Sequence, residues 1–338
     1  MSNALVLIAP RLLASPPREL AAMRSLAALG RYAGTPRIEP RGIIAALFAT
    51  LGVAAETPVG PLALLGSGGE PGGDYVLCVD PVHLVVDRDT IVLAQTIDDL
   101  SADDAGALVA MLDRHFAEDG LRFEATRPNA CFVRCRQPAD IVTTPPDVAR
   151  GRKLIANLPR GADAGRWKRW QNEIEMLLHE HPINAAREAQ GKPAANALWF
   201  WGGGRLTDAA SLPPTIVTAP ATRLGDLAHG IARCTRGEAP RMDESVAQVL
   251  ARARVDGTRP AHVLAVATPV DADLHAFDAT WLRPALALLE SRAIRSLDVI
   301  ADGHGAAATW TARSPAWWQR LAARASPRAL DVPAPPDA

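Results

Sequence analysis

Thr215-Ile216-Val217-Thr218, Val263-Leu264-Ala265-Val266-Ala267 and Leu297-Asp298-Val299-Ile300-Ala301 are three short apolar runs in the second half of the chain. Helix-forming segments at 224–233, 243–253 and 278–291 separate or follow them. A run of four or five apolar residues suits a strand buried on both faces, and strands that alternate with helices pair in parallel. The expected fold class is therefore α/β, a mostly parallel sheet covered by helices.

Working outward, residues 5–8 read as a further core strand, with helices expected at 18–32 (Leu20, Met23, Leu26, Leu29 on one face) and 43–51. The glycine-rich stretch 66–73 lacks the Gly-Lys-Ser/Thr of a phosphate loop and reads as a plain connection. An early β-rich portion follows, with runs at 75–79, 83–86 and 90–93. Asp80-Pro81 and Asp87-Arg88-Asp89 supply turn chemistry between them, so a meander is expected. Ser101 with Asp104 three residues on opens a helix to about 116, and 121–125 with 130–136 form a hairpin. Thr143-Thr144-Pro145-Pro146-Asp147 is the best internal boundary, giving portions 1–142 and 143–325 and a disordered Pro/Ala-rich tail 326–338. Within the second portion, Trp167, Trp170, Ile174 and Leu177 make the core stripe of a helix, and Ser314 caps a last one bearing Trp317 and Trp318.

The densest polar segment runs His179-Glu180-His181-Pro182-Ile183-Asn184, then Arg187, Gly191-Lys192-Pro193, Asn196, and Trp199-Phe200-Trp201-Gly202-Gly203-Gly204. Pro182 suits the first turn of a helix, and Gly191 with Pro193 ends it. Asn184 and Arg187, three apart, share a face. A strand at 197–201 then runs into glycines that let the chain turn or approach a ligand closely. One expectation is that His181, Asn184, Arg187, Asn196, Trp199 and the amides of Gly202 and Gly203 converge on an anion. The other is a plain helix–loop–strand joint with a surface arginine.

This segment resembles the HPxN…R…GKPxANxxWxWGxG stretch of the archaeal-type, cofactor-independent phosphoglycerate mutases of the alkaline-phosphatase superfamily. It is closer still to the RpfE-type bacterial regulatory proteins, with weaker similarity through Asp80-Pro81-Val82-His83-Leu84 and Leu224-Gly225-Asp226-Leu227. The resemblance implies an alkaline-phosphatase-like core.

Asp271, His275, Asp302 and His304 follow two of the expected strands, at the ends where α/β sheets bind ligands. Carboxylates with imidazoles suit a divalent metal such as Zn²⁺ or Mn²⁺, or else these are solvated loop residues. The mutases carry a D-x-x-x-H pair, matched by Asp271 and His275, and a D-H-G motif, matched by Asp302 and His304 only with Gly303 inserted. Their first strand ends in a metal-binding Asp, whereas here it ends Ala9-Pro10-Arg11. That departure leaves no expected ligand or nucleophile there.

The 338 residues carry a formal net charge of −1 with the charges well mixed, which excludes a nucleic-acid binder working by bulk charge. Four cysteines without a CxxC pair read as reduced and mostly buried, as in the cytoplasm. The apolar N-terminal run is too short for a membrane span and lacks the basic flank of a signal peptide. The expected function is a cytoplasmic, mutase-like regulatory protein that binds a small phosphorylated or carboxylated metabolite, with no nucleic acid or membrane partner and no mutase turnover. The alternative is a metal-dependent phosphotransferase or hydrolase with a rebuilt metal site. A protein-interaction scaffold is a third reading, from the eight tryptophans.

Overall fold

A computed structural model describes residues 4–209, 212–236, 245, 248, 262–267, 273–303 and 305–314. The chain divides into two compact units, one of residues 1–55 with 211–338 and the other of residues 56–210. The first unit opens with strand β1 (Ala4–Ala9), whose residues 5–9 are fully buried. Helices α1 (Pro17–Ala22) and α2 (Arg24–Leu29), strand β2 (Arg37–Glu39) and helix α3 (Gly42–Leu51) follow. The single helix expected over 18–32 is broken at Met23, whose ψ of 108° is extended. Leu20, Met23, Leu26 and Leu29 still all face the core.

The second unit holds α4 (Val59–Gly66), β3 (Tyr75–Asp87), β4 (Thr90–Thr96), α5 (Ala102–His115), β5 (Leu121–Arg127) and β6 (Ala130–Cys135). It continues with the single turns α6 (Pro146–Ala149) and α7 (Leu154–Asn157), then α8 (Ala164–His179), α9 (Pro182–Ala189) and β7 (Ala197–Gly204). Its sheet is antiparallel and built around β3. Strand β7 pairs along one edge of β3 over 76–82, while β6 pairs over 75–79 and β4 over 82–87 on the other. Strand β5 closes the row as the expected hairpin with β6.

Two expectations change here. Asp80-Pro81 is not a turn, because β3 runs straight through it. A residue's N–H and C=O point to the same edge of a strand, and Pro81 O accepts from Ile97 N. The missing N–H of Pro81 therefore falls on that same edge, beyond the last β6 pair at Val79 and just before the first β4 pair at Val82. The chain also does not divide at 142/143, since β7 pairs with β3 across that point; the compact unit is 56–210 instead.

Helix α5 starts as expected, with Ser101 Oγ accepting from Asp104 N at 3.1 Å. Helix α8 buries Trp167, Trp170, Ile174 and Leu178, the last taking the place expected for Leu177. Trp167 meets Phe200 of β7 edge-on at 5.1 Å between centroids, joining helix to sheet. Helix α4, which the sequence did not signal, packs on β3 at very short range. A Cβ on Gly60 would lie 2.3 Å from Val76 O.

The chain returns to the first unit with β8 (Thr215–Thr218), α10 (Arg223–Arg236), β9 (His262–Val266), α11 (Leu274–Phe277), α12 (Arg283–Glu290), β10 (Ser296–Gly303) and β11 (Ala306–Arg313). The sheet order is β2-β11-β10-β1-β9-β8. Strands β10, β1, β9 and β8 are parallel, while β11 and β2 add an antiparallel margin. The α/β class is as expected, with Leu5 and Leu7 on one face in a core shared with Leu26, Leu286 and Trp310. The helix expected over 243–253, the one bearing Trp317 and Trp318, and the tail 326–338 lie outside the described residues. Among the described residues no helix is long and apolar enough to cross a membrane.

Gly60→Ala should destabilise the protein by about 1–3 kcal/mol in urea unfolding, because the added methyl meets backbone. Helix propensity by itself would favour alanine by up to about 1 kcal/mol, so a stabilised variant would overturn this account of the α4–β3 contact.

Candidate functional site

Residues 193–196 carry the chain from α9 into β7 without regular secondary structure. Four consecutive residues are nevertheless tied by side chains. Arg187 Nε donates to Pro193 O at 2.7 Å, and His83 Nδ1 donates to Ala194 O at 2.7 Å. The Asn184 amide brackets Ala195, accepting from its N at 2.8 Å and donating to its O at 3.0 Å. The Asn196 side chain accepts from Leu84 N at 2.8 Å and donates to Leu84 O at 2.9 Å. That last pair copies a peptide group, so it prolongs the β3–β7 ladder by one rung beyond Ala197↔Val82. Buried backbone groups must be paired, and here side chains supply the partners that a sheet would otherwise give.

The expected convergence of Asn184, Arg187 and Asn196 on one anion is therefore not what these contacts show. Asn184 is buried and gives its second amide hydrogen to Leu178 O at 2.8 Å, so both its donors serve carbonyls. Asn196 works on β3. Arg187, 6% exposed, turns Nη2 to the Asp99 carboxylate at 2.7 Å, and Lys192 Nζ reaches the same carboxylate at 3.1 Å. Burial pushes the Asp99 carboxyl up, but the hydrogen bonds from Arg187 and Lys192 outweigh it and hold the group below its ordinary value. The anion beside this arginine is thus one the chain provides itself.

The remaining members of the segment also have local partners. His181 is the N-cap of α9, and its Nδ1 accepts from Ile183 N at 3.2 Å. Burial lowers the His181 pKa against a smaller opposing pull from Asp104. Trp199 Nε1 donates to Thr144 O at 2.7 Å. Gly202 has φ +66° and donates its N–H to Thr143 Oγ1 at 3.1 Å. A Cβ on Gly202 would sit 2.8 Å from Val59 Cβ, and one on Gly203 2.6 Å from the Tyr75 hydroxyl. The glycines therefore lie inside β7 and make room for neighbouring parts of the chain, where a turn or an approach to ligand was expected.

The second expected site lies at the C-terminal ends of β1 and β10. These strands are paired in register, Ala9 beside Ala301. Asp302 is not past the strand but within it, paired with Ala307 of β11. It is 9% exposed, and its Oδ1 accepts from the backbone N of Arg11 at 2.5 Å. Arg11 has φ +62°, a left-handed conformation uncommon for a residue with a side chain, and this turns its N–H to the carboxylate. His275 is exposed on α11, while Asp271 and His304 lie outside the described residues. Among the described residues no three metal-ligating side chains come together. Of the four expected ligands, His275 and Asp302 are thus the two that the structure describes.

Asp99, His83 and Thr143 were not expected to belong with this segment. Asp99 is 88 residues from Arg187 and sits among ordinary loop carboxylates, with no local signal to mark it.

No family model matches the chain. Over 185 residues it is 26% identical to a probable 2,3-bisphosphoglycerate-independent phosphoglycerate mutase of Geobacter sulfurreducens, covering 54% of this chain and 46% of that one. Over 107 residues it is 30% identical to the corresponding mutase of Methanosarcina mazei, covering 31% and 27%. It is similar, over part of its length, to cofactor-independent phosphoglycerate mutases. In these two matches the chain spans between about a quarter and about half of the relative's length. Among solved structures, a cofactor-independent phosphoglycerate mutase from Thermoplasma acidophilum aligns at TM-score 0.45 and 14% identity, covering 94% of this chain and 91% of its own. A Pyrococcus horikoshii protein aligns at TM-score 0.49 and 15% identity, covering 92% and 87%.

Asn184→Ala should cost on the order of 3 kcal/mol in chemical denaturation, because it leaves Leu178 O and both polar groups of Ala195 without their partner. A loss below about 0.5 kcal/mol, the scale of a surface change, would contradict the bracketing role. The Asp99 ion pairs carry a sign with pH. A lowered folded pKa means that their contribution is present above the unfolded value of about 3.9 and disappears as pH falls through the folded value. The stability difference between wild type and Asp99→Asn should therefore be constant near neutrality and close in acid; a gap that persists unchanged in acid would contradict it.

Proposed function

We propose that this chain is a cytoplasmic, RpfE-type relative of the alkaline-phosphatase-like mutases that binds a small phosphorylated or carboxylated metabolite in a regulatory role and does not run the mutase reaction. The observation that carries the second half is the end of β1. Ala9-Pro10-Arg11 offers no carboxylate, and the nearby Asp302 carboxylate is engaged by the Arg11 amide. Transfer through a phosphoenzyme needs an activated hydroxyl and groups that neutralise the charge on the moving phosphoryl group. No serine or threonine adjoins Asp302 in the sequence, and Thr218 lies on β8, three strands from β10.

Binding is proposed at Arg187 and Lys192, with the metabolite's anionic group taking the place of the Asp99 carboxylate. A guanidinium and an ammonium on one carboxylate form a charge-assisted pair that a phosphate can reproduce. Asp99 is 45% exposed and lies on the connection between β4 and α5, so exchange does not require opening the core.

The second reading is a metal-dependent phosphoglycerate mutase or phosphotransferase using Asp271, His275, Asp302 and His304. The D-x-x-x-H spacing and the names of the curated relatives favour it.

One assay separates the two. Purified protein, with and without added Mn²⁺, should not interconvert 2- and 3-phosphoglycerate above background. Turnover that disappears in both Asp271→Ala and His275→Ala would establish the second reading instead. In calorimetric titrations with 3-phosphoglycerate, Asp99→Asn should bind about tenfold more tightly than wild type and Arg187→Lys about tenfold more weakly. Equal affinity in all three proteins would remove the segment from the binding site.

A further inference from the structure

A recess of about 180 Å³ in the second unit lies between the first turn of α8 and the ends of β5 and β6. It belongs to none of the residues discussed above as a site. Arg166 and Trp167 line it from α8, Arg136 lines it from just beyond β6, and Glu118 with Asp119 lines it from the turn after α5. Trp170 completes one wall, with the Arg166 guanidinium 5.2 Å from its ring centroid.

Two features set this recess apart from an ordinary dimple. Trp167 is 1% exposed, yet its Nε1 has no hydrogen-bond partner among the described residues, and the buried Nε of Arg166 has none either. A buried donor without an acceptor is a cost that folding normally avoids, and it points to an acceptor supplied from outside. Both donors come from the first turn of a 16-residue helix, the positive end of its dipole, so the acceptor they suit is an oxyanion. The rim is different. Glu118 and Asp119 are exposed carboxylates in the same lining as Arg136. A plain anion would meet two like charges there, whereas a molecule carrying both signs would not.

We infer that the recess binds a small zwitterion of the α-amino-carboxylate class. The carboxylate accepts from Trp167 Nε1–H, Arg166 Nε–H and Arg136, and the ammonium faces Glu118 and Asp119. L-Alanine is a simple probe of this class, carrying both charged groups on a minimal side chain. Binding here is independent of the Arg187–Lys192 proposal.

The Trp167 indole N–H is its own reporter. In ¹⁵N–¹H spectra of the full chain, its resonance is the one missing from Trp167→Phe, and titration with L-alanine should shift it. Acetate, which lacks the ammonium, and inorganic phosphate should bind at least about tenfold more weakly, the loss expected for one charged hydrogen bond. Glu118→Gln with Asp119→Asn, at exposed positions that leave the core intact, should bring L-alanine down to the level of acetate. A shift produced equally by acetate would overturn the zwitterion, and no shift with any of the three probes would overturn the site.

Discussion

Every polar backbone group that leaves water must find a partner, and at residues 193–196 side chains supply most of them, with Asn196 N donating to Val82 O. Asn184, Arg187, His83 and Asn196 between them hold four consecutive residues. The consequences spread in both directions along the chain. Helix α9 cannot rotate, because Asn184 and Arg187 work from one of its faces. Strand β7 cannot slip, because Asn196 fixes its first rung against Leu84. A one-residue slip would turn Leu198 and Phe200 out of the core that they share with Trp167 and Ile174.

This clamp explains why a polar segment of unusual density can be rich in potential ligands and yet serve the fold. The residues that carry the resemblance to the mutases are largely those whose hydrogen bonds close on backbone. Similarity in such a segment transmits architecture. At the end of β1 the chain departs from the pattern that the resemblance implies, with Ala9-Pro10-Arg11 where a carboxylate would stand. Fold and activity are separable because different residues maintain them.

The two units obey different sheet rules. In the parallel sheet the central strands read mostly as apolar runs, with Asp298 of β10 as a half-buried exception whose carboxylate accepts from Thr311. In the antiparallel sheet β3 is paired on both edges, and close approach of α4 on one face demands Gly60 and Gly202 where any side chain would collide. Asp80 is accommodated on β3 because Trp201 Nε1 donates to its Oδ2 at 2.5 Å. A carboxylate can stand in such a strand when a neighbouring strand supplies its donor.

Local physics was legible in the sequence wherever one segment decided its own conformation. The strands β1, β8, β9 and β10, the Ser101 cap of α5, the hairpin of β5 with β6, and the Pro182 start of α9 all follow from period, caps and turn residues within a dozen positions. Tertiary structure alone decided the rest. Asp80-Pro81 carries the chemistry of a turn, but pairing with β7 on one edge and with Ile97 on the other holds it in a strand. Gly202 and Gly203 look like freedom for a turn or a ligand, and become room for Val59 and Tyr75. Arg187 looks like a free cation, and becomes the partner of a carboxylate 88 residues away. Composition and spacing report what a side chain is able to bind. Which acceptor it meets depends on the distant chain that folding brings beside it, and no local pattern encodes that distance.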